Sequence, residues 1–154
     1  MTESRLRTFR SWPEGYNALE RLSQLIKHSE LEPELLELVK MRASQINGCA
    51  FCIDLHSKDA RAKGETEQRL YGLSAWREAP FYTDRERAAL ALTEAVTLIA
   101  GGPVPQPVVD DAAAAFAPPE LTKLLYLIIE INAWNRLAIT TGTPAPGSYQ
   151  RKEE

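Results

Sequence analysis

The chain holds two cysteines, Cys49 and Cys52, three residues apart, and His56 follows four residues after the second. On a helix advancing about 100° per residue, all three side chains leave the axis within a roughly 60° arc. Cys52 and His56 are then neighbours one turn apart. Gly48 breaks the preceding run, so the cysteines fall in a first helical turn, where unpaired N–H groups and the helix dipole favour a thiolate. His56 is placed to take the Cys52 proton, the nucleophile-and-base arrangement of thiol catalysis. If Cys52 is oxidised to a sulfenic acid, Cys49 is placed to condense with it to a disulfide before oxidation goes further. The pattern suits a two-cysteine redox cycle.

The same residues allow other readings. Cys49, Cys52 and His56 are three zinc ligands, but a structural site wants four, and the other histidine, His28, sits on a separate helix. Both cysteines also fit as small buried apolar groups. A thioredoxin-type oxidoreductase shares the Cys-x-x-Cys but needs a βαβ context that this chain lacks.

The elements that must position these residues all read as helical. Ala18, Leu19, Leu22, Leu25 and Ile26 give Asn17–His28 the spacing of an amphipathic helix. Pro33 opens a second helix over Glu34–Asn47, with Leu35, Leu38, Val39 and Ile46 on one stripe. A third runs from Ala50 to Lys63 and stops at Gly64. Short helical turns over Thr66–Trp76 end by Pro80, and Thr83 and Glu86 form a capping box for a helix to about Ala100. Pro107 begins another toward Phe116, and Pro118-Pro119-Glu120 opens the last, to about Thr140. No stretch alternates as a half-buried strand does. The expectation is one all-α domain over residues 1–154, of six or seven helices, with a frayed tail at 143–154.

Composition bounds the partners. With 154 residues and 44% hydrophobic content, the chain can bury a core without disulfide staples. A net charge of −3 argues against nucleic acid. No apolar run approaches a membrane span, and Met1–Arg10 has no stretch resembling a secretory signal, so a cytoplasmic location is expected. In a reducing compartment a lone cysteine pair is more often catalytic or metal-binding than structural.

The segment from Glu37 through Asn47-Gly48-Cys49-Ala50-Phe51-Cys52 to His56 resembles the core of the AhpD-like alkylhydroperoxidases of the carboxymuconolactone decarboxylase superfamily. The likeness continues through Lys58-Asp59-Ala60-Arg61, Gly64-Glu65-Thr66, Glu86-Arg87-Ala88-Ala89-Leu90 and Ile131–Ile139. It implies an all-helical subunit that assembles into trimers or hexamers and reduces hydroperoxides with a cysteine pair; the sequence itself calls for no metal, haem or flavin. An external dithiol, or a lipoyl or thioredoxin-like donor protein, would regenerate the pair. The family pattern places a glutamate twelve residues before the first cysteine, a position held here by Glu37. Carried over, Cys52 attacks the peroxide, Cys49 resolves, and His56 with Glu37 relays the proton. Where the best-known member has a second histidine between its cysteines, this chain has Phe51. Two other outcomes remain open: an oligomeric dithiol/disulfide sensor without turnover, and a decarboxylase-like small-molecule enzyme on the same scaffold.

Periodicity alone places Glu37 away from the Leu35/Leu38/Val39 stripe, on a solvated face. On the last helix the stripe of Leu121, Leu124, Leu125 and Ile128 extends to Asn132, Asn135 and Ile139. Buried amides need partners, which a neighbouring helix terminus or a subunit interface would supply. Trp134 and Arg136 point elsewhere and suit interface anchors. His28, Lys58, Arg61 and Lys63 read as cations complementing helix dipoles.

Overall fold

The computed structural model describes residues 5–145 and is built from eight α-helices, with no strand among those residues. They are α1 (Thr8–Ser11), α2 (Pro13–Lys27), α3 (Pro33–Asn47), α4 (Ala50–Ala62), α5 (Glu67–Gly72), α6 (Asp84–Thr97), α7 (Gln106–Ala115) and α8 (Pro118–Thr141). Single 3₁₀ turns at Leu73–Ala75 and Ile99–Gly101 follow α5 and α6. The all-α expectation holds, and the count exceeds six or seven because α1 adds a helix that periodicity did not show. The expected frayed tail lies mostly outside the described residues, although the Thr143 amide still bonds the Ala138 carbonyl at 2.9 Å.

Local signals account for most boundaries. Prolines open α2, α3 and α8 in their first turns, where a missing N–H costs nothing. The Thr83/Glu86 capping box is formed in full at the start of α6. The first expected helix begins four residues early, at Pro13, and ends with His28 as an exposed C-cap.

The third helix is the axis of the fold. It packs against α4, α6 and α8, and α8 in turn packs against α2, α6 and α7. With neighbours on several sides, α3 buries Leu35, Leu36, Glu37, Leu38, Val39, Met41, Ala43 and Ser44. One apolar cluster joins Leu36 and Val39 to Leu92, Phe116 and Leu127. A second, on the other flank, joins Leu38 and Met41 to Leu73, Trp76 and Leu90. The stripe expected on α8 shifts by a residue: Leu125 is 39% exposed and Ile139 46%, while Leu127 and Ile131 are buried. Leu25 on α2 is exposed as well, since among the helices α2 packs mainly against α1 and α8.

Asn132 and Asn135 meet the partners that their burial requires. Asn47, the last residue of α3, donates through Nδ2 to Asn132 Oδ1 at 3.0 Å and to Asn135 Oδ1 at 2.8 Å. Asn135 Nδ2 donates to Ser44 Oγ, and Asn132 Nδ2 donates to Thr97 Oγ1 and the Ile128 carbonyl. This amide network fastens the end of α3 to the middle of α8, the neighbouring-terminus arrangement expected from sequence. Arg136 turns back onto Asn132 at 2.8 Å. Replacing Asn135 by Ala leaves Asn47 and Ser44 short of a partner in a dry setting. The variant is expected to lose roughly 2–3 kcal/mol in urea-induced unfolding; a loss under about 0.5 kcal/mol would contradict the network's role.

Candidate functional site

The site begins where α3 ends. Gly48 adopts a left-handed conformation (φ 70°), and the Cys49 and Gly48 amides bond back to the carbonyls of Ser44 and Gln45, a Schellman stop. A side chain at Gly48 would have open space, so it is the backbone angle that calls for glycine. The reversal lays α4 antiparallel against α3, so the first half of α3 faces the second half of α4.

Cys49 is the N-cap of α4, and its Sγ accepts from the Cys52 amide at 3.4 Å. The two sulfurs are bonded to each other, with Cα atoms 5.4 Å apart, an ordinary separation for a disulfide. Both cysteines are buried, but only Cys52 lines an open cavity of 340 Å³ whose walls come mainly from α2, α4 and α8. His56 lines it too, one turn further along α4, as does Phe51 at the position of the missing second histidine. Most of the remaining wall is apolar, with Leu55 and Leu137 prominent.

Glu37 is the largest departure from the helical-periodicity reading. It is 3% exposed, because α3 has no solvated face at that turn. Its Oε2 lies 2.9 Å from His56 Nδ1, and its Oε1 holds Lys63 Nζ at 2.5 Å. Burial by itself pushes the Glu37 carboxyl up. The His56 hydrogen bond, with the charges of His56, Lys40 and Lys63, outweighs that and holds it at about 2. A carboxylate can only accept, so the His56 proton sits on Nδ1 and Nε2 is the nitrogen left for proton exchange.

Thus Cys49, Cys52, His56 and Glu37 come together in the structure. Lys63 joins them, although its sequence position suggested only a dipole-complementing charge. It is the C-cap of α4, and the turn at Gly64 (φ 98°) follows it. Lys58 and Arg61 do pair locally, with Asp54 and Glu67. The three zinc ligands of the sequence reading are not free together, since the sulfurs are joined. A different trio, Glu37, His56 and Asp59, brings one ligand atom each within 4.8 Å. A cation there would compete with Lys63 for Glu37.

Trp134 is no outward anchor in this chain. Its ring meets Tyr16 edge-on at 5.1 Å, and its indole N–H donates to Ser23 Oγ at 2.9 Å. Ser23 Oγ contacts Glu130 Oε1, and Glu130 lies in the cavity wall at 2% exposure. Sequence reasoning passed over Glu130, yet it interrupts the stripe Leu127, Trp134, Leu137 at helical spacing, which marks it as a buried charge.

Residues 13–95 match the carboxymuconolactone decarboxylase family. The uncharacterised protein YdfG of Bacillus subtilis (strain 168) is 43% identical over 133 residues, spanning 86% of this chain and 90% of that protein. A crystal structure from Agrobacterium tumefaciens, of a protein of unknown function held to be a candidate AhpD antioxidant defence protein, superimposes with a TM-score of 0.89 at 39% identity. It covers 94% of this chain and 99% of its own. The debrominase Bmp8, solved with 2,3,4-tribromopyrrole, shares the fold at a TM-score of 0.80 and 19% identity, over 90% of this chain and 74% of its own. From the helical frame, the Cys-x-x-Cys with its histidine and glutamate, and these likenesses, the chain belongs to the carboxymuconolactone decarboxylase family as an AhpD-like member.

Proposed function

We propose that this protein is a thiol-dependent alkylhydroperoxidase. The observation that carries the reading is the asymmetry of the pair: Cys52 lines the cavity beside His56, while Cys49 is bonded to it from behind. In the reduced protein, His56 Nε2 takes the Cys52 proton, and the thiolate attacks the outer oxygen of a hydroperoxide. The O–O bond breaks, Cys52 becomes a sulfenic acid, and the alkoxide leaves as an alcohol with the proton that His56 held. The Cys49 thiol then displaces water from the sulfenic sulfur and closes the disulfide. An external dithiol returns two electrons and two protons by exchange, being itself oxidised to a disulfide.

Glu37 serves that cycle by fixing the imidazole. It selects the Nδ1–H tautomer, keeps Nε2 toward the cavity, and stabilises the imidazolium that forms when Cys52 ionises. Lys63 holds the other carboxylate oxygen, so Glu37 keeps one orientation. Assembly into a trimer or hexamer, as the family resemblance implies, belongs to this proposal, and so do a cytoplasmic setting and a donor that is a dithiol or a lipoyl or thioredoxin-like protein.

Turnover is tested by peroxide consumption with several dithiol donors. Cys52→Ser is expected to abolish it. Cys49→Ser is expected to keep one stoichiometric reaction with peroxide and lose recycling. Disulfide formation without sustained turnover would instead indicate a sensor, and an activity that survives loss of both cysteines would indicate decarboxylase-like chemistry.

The relay has its own test. Iodoacetamide labelling of reduced Cys52 is expected to move to higher pH in His56→Ala, by about one unit or more, and by less in Glu37→Gln. No movement in either variant would remove the histidine from the mechanism.

Acid stability follows from the Glu37 shift. Its carboxyl falls from 4.5 to about 2 on folding, so its contribution is complete above pH 4.5 and drains away as the pH drops through about 2. The wild type should therefore lose roughly 3 kcal/mol more than Glu37→Gln over that window in urea melts. Lys63→Met, lacking a cation on Oε1, should show a smaller loss that is complete at a higher pH, because only the folded-state value rises.

A further inference from the structure

Among the described residues four glutamates are buried: Glu37, Glu65, Glu94 and Glu130. Three of them have a cation of their own. Glu37 holds Lys63, Glu65 holds Arg69 at 2.8 Å, and Glu94 holds Arg42 at 2.8 Å along with Arg77. Glu130 is the exception. It is the most buried of the four, at 2%, and no lysine, arginine or histidine of the described residues pairs with it. Its Oε1 meets Ser23 Oγ, and its Oε2 has no hydrogen-bond partner.

A buried carboxylate without a counter-charge is costly, because charges leave water only when paired and hydrogen-bonded. Here the unmet oxygen belongs to a residue in the wall of the cavity that Cys52 and His56 also line. The other charged groups of that wall do not answer it. Lys40 acts electrostatically on Glu37, and Glu20 is an acid that accepts from Gln24 at 2.8 Å. Around Glu130 the wall offers Trp134, Leu137 and Ala138, an apolar seat. At 340 Å³ the cavity is of a size that takes a small organic molecule. The outer torsion of a glutamate is soft, so a donor entering the cavity can draw Oε2 toward it.

We propose that this cavity recognises a small apolar molecule carrying a primary ammonium group, with Glu130 as its counter-charge and Trp134 and Leu137 covering its apolar body. The ammonium supplies what Lys63 and the arginines supply to the other three acids. Naming this ligand the substrate, an amine-bearing hydroperoxide, rests on the peroxidase reading. The binding itself does not.

The test uses benzylamine, with benzyl alcohol as its neutral counterpart, titrated into the full chain by calorimetry. A charge-assisted hydrogen bond should make benzylamine bind about tenfold tighter or more. Glu130→Gln keeps an oxygen for Ser23 and the shape of the wall, and is expected to bring the two ligands to within about twofold. Benzylamine should also slow iodoacetamide labelling of the reduced cysteines in the wild type, which places it in this cavity. Equal binding of amine and alcohol by the wild type overturns the inference without any variant. So does a preference that survives in Glu130→Gln, or binding that leaves cysteine labelling unchanged. No peroxide enters these measurements: a protein that selects the amine yet never consumes peroxide retires the peroxidase reading alone, and the converse result retires this one alone.

Discussion

A carboxylate inside a helical bundle is the constraint around which this protein is arranged. Glu37 sits on the central helix, out of contact with water, and is kept ionised by His56 on one oxygen and Lys63 on the other. Both partners come from α4, one from its middle and one from its C-cap. The two contacts therefore fix the axial register of α4 against α3 as well as the orientation of the imidazole. Sliding α4 by one turn would strand a buried charge, which costs far more than an apolar mismatch of similar size. A geometry suited to proton transfer and a rigid helix pair come from the same three side chains.

The other end of α3 is fastened by amides. Asn47 bonds two asparagines of α8, and Ser44 receives from Asn135, so α8 is set against the residue that precedes the Gly48 turn. Because α8 also carries Trp134 and Glu130, this network ties one wall of the cavity beside Cys52 to the end of α3. Every buried amide donor in it is used, and such networks specify one arrangement over near alternatives. Charge holds one end of the hairpin and neutral hydrogen bonds hold the other.

Features confined to a few consecutive residues were legible in the sequence. The Cys52/His56 spacing, the Pro33 and Pro118 starts, the Thr83/Glu86 capping box and the glycine stop at Gly48 depend on local geometry, and the structure places them as read, whereas Cys49 leaves the expected helical arc to become the extended N-cap of α4. Features set by what packs against a helix were not. Periodicity assigns one buried stripe per helix, whereas α3 is covered on several sides, so Glu37 went to the wrong face and only its spacing from Cys49 pointed inward. Lys63 looked like an ordinary terminal cation because its partner lies 26 positions away in sequence. Leu125 looked like core because periodicity fixes a helix's phase only to about one residue. Glu130 left a trace, a charge in an apolar stripe, but its meaning depends on a cavity that only the assembled helices create.

The Cys49 sulfur has two duties, since it caps α4 and is also half of the cysteine pair. Thermodynamic linkage ties the two together. Whichever sulfur state holds the Cys52 amide better is the state that an intact first turn of α4 favours, and fraying of that turn favours the other. Electron transfer at the pair and the firmness of a helix start thus form one coupled equilibrium. Pressure on the neighbouring backbone, from a docking protein or a ligand wedged against Phe51, would retune the couple without touching either sulfur.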